Sequence, residues 1–253
     1  MSDPNGWESL SEWYDRKQGD SGDLWHRSLI DPVLIKLIGS STNRNILDLG
    51  CGNGYLSRRF AKERAIVTAI DSSASMIAHA KMHDPNNELG ISYQVGEAHN
   101  LGFLNDETFD VVFANMTLMD IENAEGAIRE VARVLKEKGR FVASLSHPCF
   151  DNGKMSSWLL EKSFLSSIVY RKITAYKQLS FEDYPWKVSE NERRWTRGYH
   201  RPLSWYSRIL TQFGLAITAL EEPEPTAEFL EKEEQGPWFL QVPLHLVIEA
   251  LKL

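Results

Sequence analysis

The run Ile46-Leu-Asp-Leu-Gly-Cys-Gly-Asn-Gly54 carries the plainest chemical signal in the chain. Its first four residues alternate like the end of a buried strand. Glycines follow at every second position, and Tyr55-Leu-Ser-Arg-Arg-Phe-Ala-Lys reads as the opening turns of a helix. A glycine hinge between strand and helix lets backbone N–H groups approach a ligand that a Cβ would keep away. The ligand is therefore expected to be nucleotide-like, with an anionic group near the helix N-terminus. Spacing argues against two common relatives of this loop. A dinucleotide fingerprint needs glycine where Tyr55 stands, and a phosphate-binding loop needs Gly-Lys-Ser/Thr, which is absent. Ala65-Ile-Val-Thr-Ala-Ile-Asp71 then reads as a second strand ending in an acid. An acid there lies beside the glycine loop in a parallel sheet, where it can accept both ribose hydroxyls of an adenosine.

The elements that hold these residues follow from periodicity. Strands are predicted at 46–49, 65–70, 91–95, 109–114 and 140–146, and helices at 54–63, 73–82 and 122–137. Strands alternating with helices imply a parallel sheet with right-handed crossovers. Before the core, Trp7 to Trp13 starts an amphipathic helix, Gly19-Asp-Ser-Gly22 breaks it, and Leu24 to Ile38 resumes helical spacing. After Phe150 the pattern changes to aromatics and charges without a glycine loop. Ile168 to Leu179 alternates loosely, like one strand of a hairpin. Pro202 to Phe213 reads as a helix stopped by Gly214, Leu215 to Leu220 as a strand, and Val242 to Leu251 as the last strand.

Composition narrows the partners. The chain has 253 residues, 42% hydrophobic and 25% charged, enough for one large α/β domain with an insertion. A net charge of −7 gives no general field for polyanions, so neither nucleic acid nor an anionic membrane is expected as a partner. Arg193, Arg194, Arg197 and Arg201 form a local basic cluster. Two cysteines, Cys51 and Cys149, suit a reduced compartment, and no metal spacing exists. No leader and no apolar run near the ~20 residues of a bilayer span is read, so the expected location is cytoplasmic.

Taken in order, these motifs resemble the class I S-adenosylmethionine-dependent methyltransferases of the small-molecule type. Asp71-Ser-Ser-Ala-Ser-Met-Ile-Ala-His-Ala80 is similar to the segment after that family's second strand. Gly96-Glu-Ala-His-Asn-Leu101 is similar to its adenine loop, Phe109-Asp-Val-Val-Phe-Ala-Asn-Met116 to its fourth strand, and Ala132-Arg-Val-Leu-Lys-Glu-Lys-Gly-Arg-Phe-Val142 to its fifth strand with the helix before it. The resemblance covers roughly residues 40–150 well. It implies an α/β fold, a Rossmann-like seven-stranded, mostly parallel sheet with helices on both faces and an antiparallel last strand. A helical lid (1–40) precedes the cofactor-binding core (41–150), an inserted substrate cap (151–201) follows the fifth strand, and 202–253 complete the sheet.

The resemblance also distributes roles. Gly50, Cys51 and Gly52 would lie against the methionine part of S-adenosylmethionine, Asp48 and the carbonyl of Asn115 would hold its ammonium, and Asp71 with Ser72 would meet the ribose. Met76 would pack on the adenine, a thioether suiting an aromatic face. Glu97, standing where the family often has Asp, would meet the adenine edge with Ala98. From the lid, Tyr14 and Arg27 would close on the cofactor carboxylate. Methyl transfer needs a base only if the acceptor must lose a proton. His147, at the end of the fifth strand, and His200, between the cap and the next helix, are the candidates; the plainer alternative is that His147-Pro148 ends a strand in a turn and that His200 is structural. Tyr199, Trp205 and Tyr206 would line the acceptor pocket. The expected partner is a small-molecule methyl acceptor, methylated at oxygen or nitrogen by a monomer or homodimer. Alternatives are a protein or peptide N-methyltransferase and a non-catalytic module that binds the same cofactor. No Asn/Asp-Pro-Pro-Tyr/Phe base-amine motif follows the fourth strand; Asn115-Met-Thr-Leu stands there.

Overall fold

The computed structural model describes residues 6–162 and 167–253. The first five residues, on which the reading of the N-terminus and the start of the lid partly rest, lie outside it, as do 163–166 within the cap. In chain order the elements are α1 (Trp7–Gln18), a π-helical turn (His26–Ile30) running into α2 (Asp31–Ile38), β1 (Asn45–Leu49), α3 (Tyr55–Lys62), β2 (Ile66–Asp71), α4 (Ala74–Met82), β3 (Ser92–Val95), β4 (Phe109–Asn115), α5 (Ala124–Val134) and β5 (Leu135–Ser146). Then come β6 (Ser156–Lys162), β7 (Ser167–Ile173), β8 (Ser180–Lys187), β9 (Arg193–His200), α6 (Leu203–Gln212), β10 (Leu215–Glu221), α7 (Ala227–Lys232) and β11 (His245–Lys252).

Seven strands form one sheet in the order β10-β11-β5-β4-β1-β2-β3. All neighbours are parallel except at β11, which runs antiparallel to both β5 and β10. The strand code explains why both faces are covered. Ile46, Val67, Val111 and Phe113 point to a layer made with α2, α3 and α4, through Leu34, Ile38, Phe60 and Ala80. Leu47, Leu49, Val112 and Ala114 point the other way, against Ile128 and Val131 of α5 and Tyr206 and Ile209 of α6. Strands apolar on both sides read as continuous hydrophobic runs, which is the mark of a sheet buried between two helical layers. The ends of the helices are set by local chemistry: Ser73 caps α4 by accepting from Met76 N–H at 3.0 Å, and Asn123 caps α5 by accepting from Gly126 N–H at 3.0 Å.

Several features differ from expectation, among them the start of the last strand, at His245 and not Val242. The helix predicted to 137 stops at Val134, because Leu135 already pairs with Phe109 and a bulge with Lys138 at φ 59° carries the chain into the long fifth strand. The strand predicted from Ile168 to Leu179 ends at Ile173, where Ala175 at φ 53° turns the chain. The short helix α7 has no counterpart in the sequence reading; Thr226 caps it and its Phe229 is fully buried.

The inserted segment folds as two antiparallel hairpins, β6–β7 and β8–β9, separate from the main sheet. Helix α1 ties this insertion to the core. On the core side, the Glu8 carboxylate accepts from Ser73 Oγ (2.6 Å), Ser75 Oγ (2.5 Å) and Ser75 N–H (3.2 Å) at the start of α4. On the cap side, Trp7, Trp13 and Tyr14 pack edge-on or tilted against Trp186, and Arg194 donates to the Ser9 carbonyl. Glu8→Ala is expected to lower stability by about 1 kcal/mol, since it removes the charged acceptor at a helix N-terminus. Limited proteolysis should then cut faster at Gly19–Gly22, and an unchanged cleavage rate would show that α1 is held from the cap alone.

Candidate active site

Two chambers open at the C-terminal ends of the parallel strands, where an α/β sheet leaves its crevice. The first, about 410 Å³, is bordered by Gly50, Gly52, Asp71, Ser72, Met76, Glu97, Ala98 and Asn115, with Tyr14 reaching in from α1. Nine of the residues expected around one ligand are thus brought to one cavity. Gly50 sits at φ 74°, and a Cβ there would lie 2.3 Å from Cγ2 and 2.6 Å from Oγ1 of Thr117. The residue is glycine because the loop turns left-handed and β4's outgoing chain crosses directly over it. Gly50→Ala is expected to lower folding stability by about 3 kcal/mol, from the left-handed backbone plus that overlap; a denaturation midpoint equal to wild type would contradict this reading of the loop.

Asp71 is held rigidly. Its Oδ2 accepts from Gly52 N–H at 2.8 Å and its Oδ1 from Ser73 N–H at 2.9 Å. Each oxygen keeps a second lone pair for a ligand. Burial pushes this carboxyl up to about 6 even though both amides favour its charge. Asn115 is locked as well: its Nδ2 donates to Tyr55 Oη (2.9 Å) and Asp31 (3.0 Å), while its Oδ1 accepts from Ser144 Oγ (2.5 Å).

Asp48 and Cys51 do not border this chamber. They lie beneath the glycine loop against a small void of about 40 Å³ that also touches Gly50, Gly52 and Asn115. Ser57 Oγ donates to Asp48 at 2.5 Å, and burial pushes the Asp48 carboxyl up to about 7. Direct contact between Asp48 or Cys51 and a ligand in the large chamber is therefore corrected to a supporting position under the loop.

The second chamber, about 440 Å³, lies between the core, α1 and the hairpin β8–β9. It shares Trp7, Tyr14, Met116 and Asp120 with the first, so these four residues mark the junction. His200, Tyr199 and Tyr206 border it. His200 donates through Nε2 to the Tyr176 carbonyl at 2.7 Å, which fixes its tautomer and leaves Nδ1 as the acceptor nitrogen.

Three expected residues are elsewhere. His147 borders neither chamber; its Nε2 meets Glu222 at 3.0 Å and its Nδ1 accepts from Cys149 N–H at 3.1 Å, so it closes the turn after β5. Burial lowers its pKa despite Glu222. Arg27 points away from the cavities to form an ion pair with Glu228 of α7 at 2.8 Å. Trp205 packs outside, under the Arg201 guanidinium at 5.0 Å.

Two groups escaped the sequence reading as proton-transfer candidates. Asp120, in the turn after β4, has no ion-pair partner among the described residues. Burial pushes its carboxyl up to about 8; a hydrogen bond from Trp7 opposes this and the charge of Asp71 adds to it. A lone acid in the apolar stretch 116–121 was the available signal. His26 is oriented by Asp23, whose Oδ1 meets Nδ1 at 2.8 Å, and it borders the second chamber and the void. Although burial opposes it, the His26 ring and amide, with Lys17 at 3.3 Å, hold the Asp23 carboxyl far below its ordinary value.

Comparison with known proteins gives the same picture for the core. Residues 47–143 match the family described as "Methyltransferase domain". A ubiquinone biosynthesis O-methyltransferase from Coxiella burnetii is 32% identical over 143 residues, covering 54% of this chain and 61% of that protein. One of the same name from Glaesserella parasuis is 33% identical over 135 residues, covering 50% and 56%. The chain thus spans about three fifths of the length of the curated relatives it matches. Among solved structures, an S-adenosylmethionine-dependent methyltransferase from Mesorhizobium loti superposes with a TM-score of 0.71 at 24% identity, over 87% of this chain and 96% of that one. A geranyl diphosphate C-methyltransferase from Streptomyces coelicolor, solved with S-adenosyl-L-homocysteine, gives 0.60 at 14% identity, over 88% and 76%.

Proposed function

We propose that the chain is a class I S-adenosylmethionine-dependent methyltransferase, as the match of residues 47–143 and the relatives support, and that it moves a methyl group onto an oxygen or nitrogen of a small molecule. The observation that carries this reading is the pair of chambers meeting at Trp7, Tyr14, Met116 and Asp120. One chamber is shaped for the cofactor, the other is a separate space for an acceptor, and the junction is where a methyl would pass.

The residues fit the cofactor. The cradle over Gly50 has no room for a Cβ, and Asp71 stands ready with both oxygens oriented. Asp71 and Ser72 would take the ribose, Glu97 and Ala98 the adenine edge, and Met76 the adenine face. The Gly50 and Gly52 backbone would follow the methionine portion, with the Asn115 carbonyl and, across the small void, Asp48 near its ammonium. Tyr14 would close the chamber from the lid. When bound, S-adenosylmethionine supplies a methyl carbon already activated by a sulfonium, so the protein's main contribution is alignment and exclusion of water. Asp120 is the acid that borders both chambers, which makes it the nearest group for an acceptor's proton. His26 and His200 border the acceptor chamber as well.

A walled chamber of a few hundred Å³ suits a small molecule rather than a folded protein or a duplex. The lid and the cap that wall it lie outside residues 47–143, so the acceptors named for the relatives do not carry over with the matched segment.

Calorimetric titration with S-adenosylmethionine, S-adenosylhomocysteine and NAD tests this. Binding of the first two and not of NAD is expected. Binding of NAD alone, or of none, would remove the reading.

A further inference from the structure

Resting on the methyl-transfer reading, we propose that the acceptor is a protonated amine carried on a flat, ring-sized body, held with its nitrogen against Asp120 and methylated on that nitrogen. The argument is a charge balance over the acceptor chamber.

Every cation on its wall already has partners in the protein, although those of Arg201 are carbonyls and not a carboxylate. Arg201 donates to the carbonyls of Leu118 (3.3 Å), Ile121 (2.6 Å) and Glu122 (2.8 Å). Lys17 faces Asp23, and so does His26. The terminal nitrogens of Arg201 are thus held to the chain after β4, and Lys17 is held to Asp23. The acids are not all matched, and an ammonium beside Asp120 would draw its carboxyl into the charged form. Asp23 has His26 and Lys17, and Asp151 has Arg171 at 3.0 Å, but no cation pairs with Asp120 among the described residues.

Hydrogen-bonding capacity is skewed in the same direction. Asn152 borders the chamber, is 4% exposed, and donates through Nδ2 to the Thr174 carbonyl, which leaves its buried Oδ1 with no donor. The free nitrogen of His200 is an acceptor too. A buried acceptor without a donor is costly, and a ligand N–H that reached it would relieve that cost. Four aromatic residues, Trp7, Trp186, Tyr184 and Tyr199, also border the chamber, and two of their rings already lie beside protein cations, Lys17 and Arg201. Such walls accept a flat body and favour positive charge beside it.

In the transfer, one N–H proton of the ammonium passes to the Asp120 carboxylate. The freed nitrogen lone pair forms the new bond to the methyl carbon, and the carbon–sulfur bond breaks with its electron pair staying on sulfur. The products are the N-methylated ammonium and a neutral thioether, and the proton on Asp120 leaves to solvent.

The test uses the full chain and three probes of one shape: 2-phenylethylamine, 2-phenylethanol and 3-phenylpropionate. S-adenosylhomocysteine is titrated first. If it does not bind, the methyl-transfer reading fails by itself, and the probes are then run on the unloaded protein. The amine is expected to bind roughly tenfold or more tighter than the alcohol, with no binding of the carboxylate. Asp120→Asn should weaken the amine roughly tenfold, and a thermal melt reports whether the fold is intact. The proposal is overturned if the alcohol or carboxylate binds as well as the amine, if none of the three binds, or if Asp120→Asn leaves the amine unaffected. The wild-type comparison decides the matter even if the variant does not fold.

Discussion

Asp71→Ala is expected to weaken S-adenosylhomocysteine binding by roughly a hundredfold or more. Hydrogen bonds to a charged acceptor contribute about 1.5–3 kcal/mol each, and two ribose hydroxyls on one carboxylate therefore reach about 3 kcal/mol at the least, or two decades in affinity. The loss has a second source. Gly52 N–H and Ser73 N–H both donate to this carboxylate, so the alanine frees the glycine loop from the end of β2 at the moment it removes the ribose contact. Fold stability should change far less, because the buried carboxylate is itself unfavourable in the empty chamber, its pKa standing at about 6. Calorimetry on the variant, with a thermal melt as control, checks both halves. An affinity within threefold of wild type would mean that the ribose is held elsewhere.

The ligand-free protein should lose stability between about pH 6.5 and about pH 8.5, on the order of 2 kcal/mol. Burial holds Asp48 up to about 7 and Asp120 up to about 8 in the folded chain. Through this window the unfolded chain has already released these protons, while the folded chain still binds part of them. Raising pH through the folded values therefore removes stability. The buried histidines act in the opposite sense: His245, pushed down to about 3, and His147, also lowered, add stability as pH rises toward the unfolded histidine value. That contribution is nearly complete by about pH 6.5, so the carboxyls dominate above it. A fall of roughly 4–8 °C in melting temperature is expected for a chain of this size, and Asp120→Asn should remove more than half of it. A flat or rising profile across the window would show that these carboxyls are not protonated in the fold.

The core was legible because its signals are local. Each parallel strand is covered on both faces, so 46–49 and 109–114 stand out as apolar runs, and the left-handed turn at Gly50 tolerates little but glycine. Asp71 could be placed because a strand end beside that loop has a fixed neighbour. The acceptor chamber was not legible, since its walls are assembled from segments far apart in sequence: Trp7 from α1, Asp120 after β4, Tyr184 and Trp186 from β8. Asp23 and His26 look like ordinary lid residues until the π-helical turn sets the ring against the carboxylate. Arg27 misled for a related reason. Its partner Glu228 belongs to α7, an element too short to announce itself by periodicity, and the guanidinium follows that carboxylate away from the cavity. His147 shows the limit of arguing from strand ends alone: the position was right, but the ring is consumed by Glu222 and the Cys149 amide.

Helix α1 contributes Trp7 and Tyr14 to both cavities, while Glu8 fastens it next to Ser72 and Trp186 fastens it to the cap. Ligands in the two cavities would therefore share a wall, and any motion of that helix in the empty protein would be stilled by either of them. If the helix moves in the empty protein, whichever arrives first bears the entropy of stilling it, and the second arrives at a surface already set. Their affinities should rise together and by the same factor from either direction, as reciprocity requires. A four-sided calorimetric cycle with S-adenosylhomocysteine and an acceptor measures that factor, and unity would mean that the wall is rigid from the start.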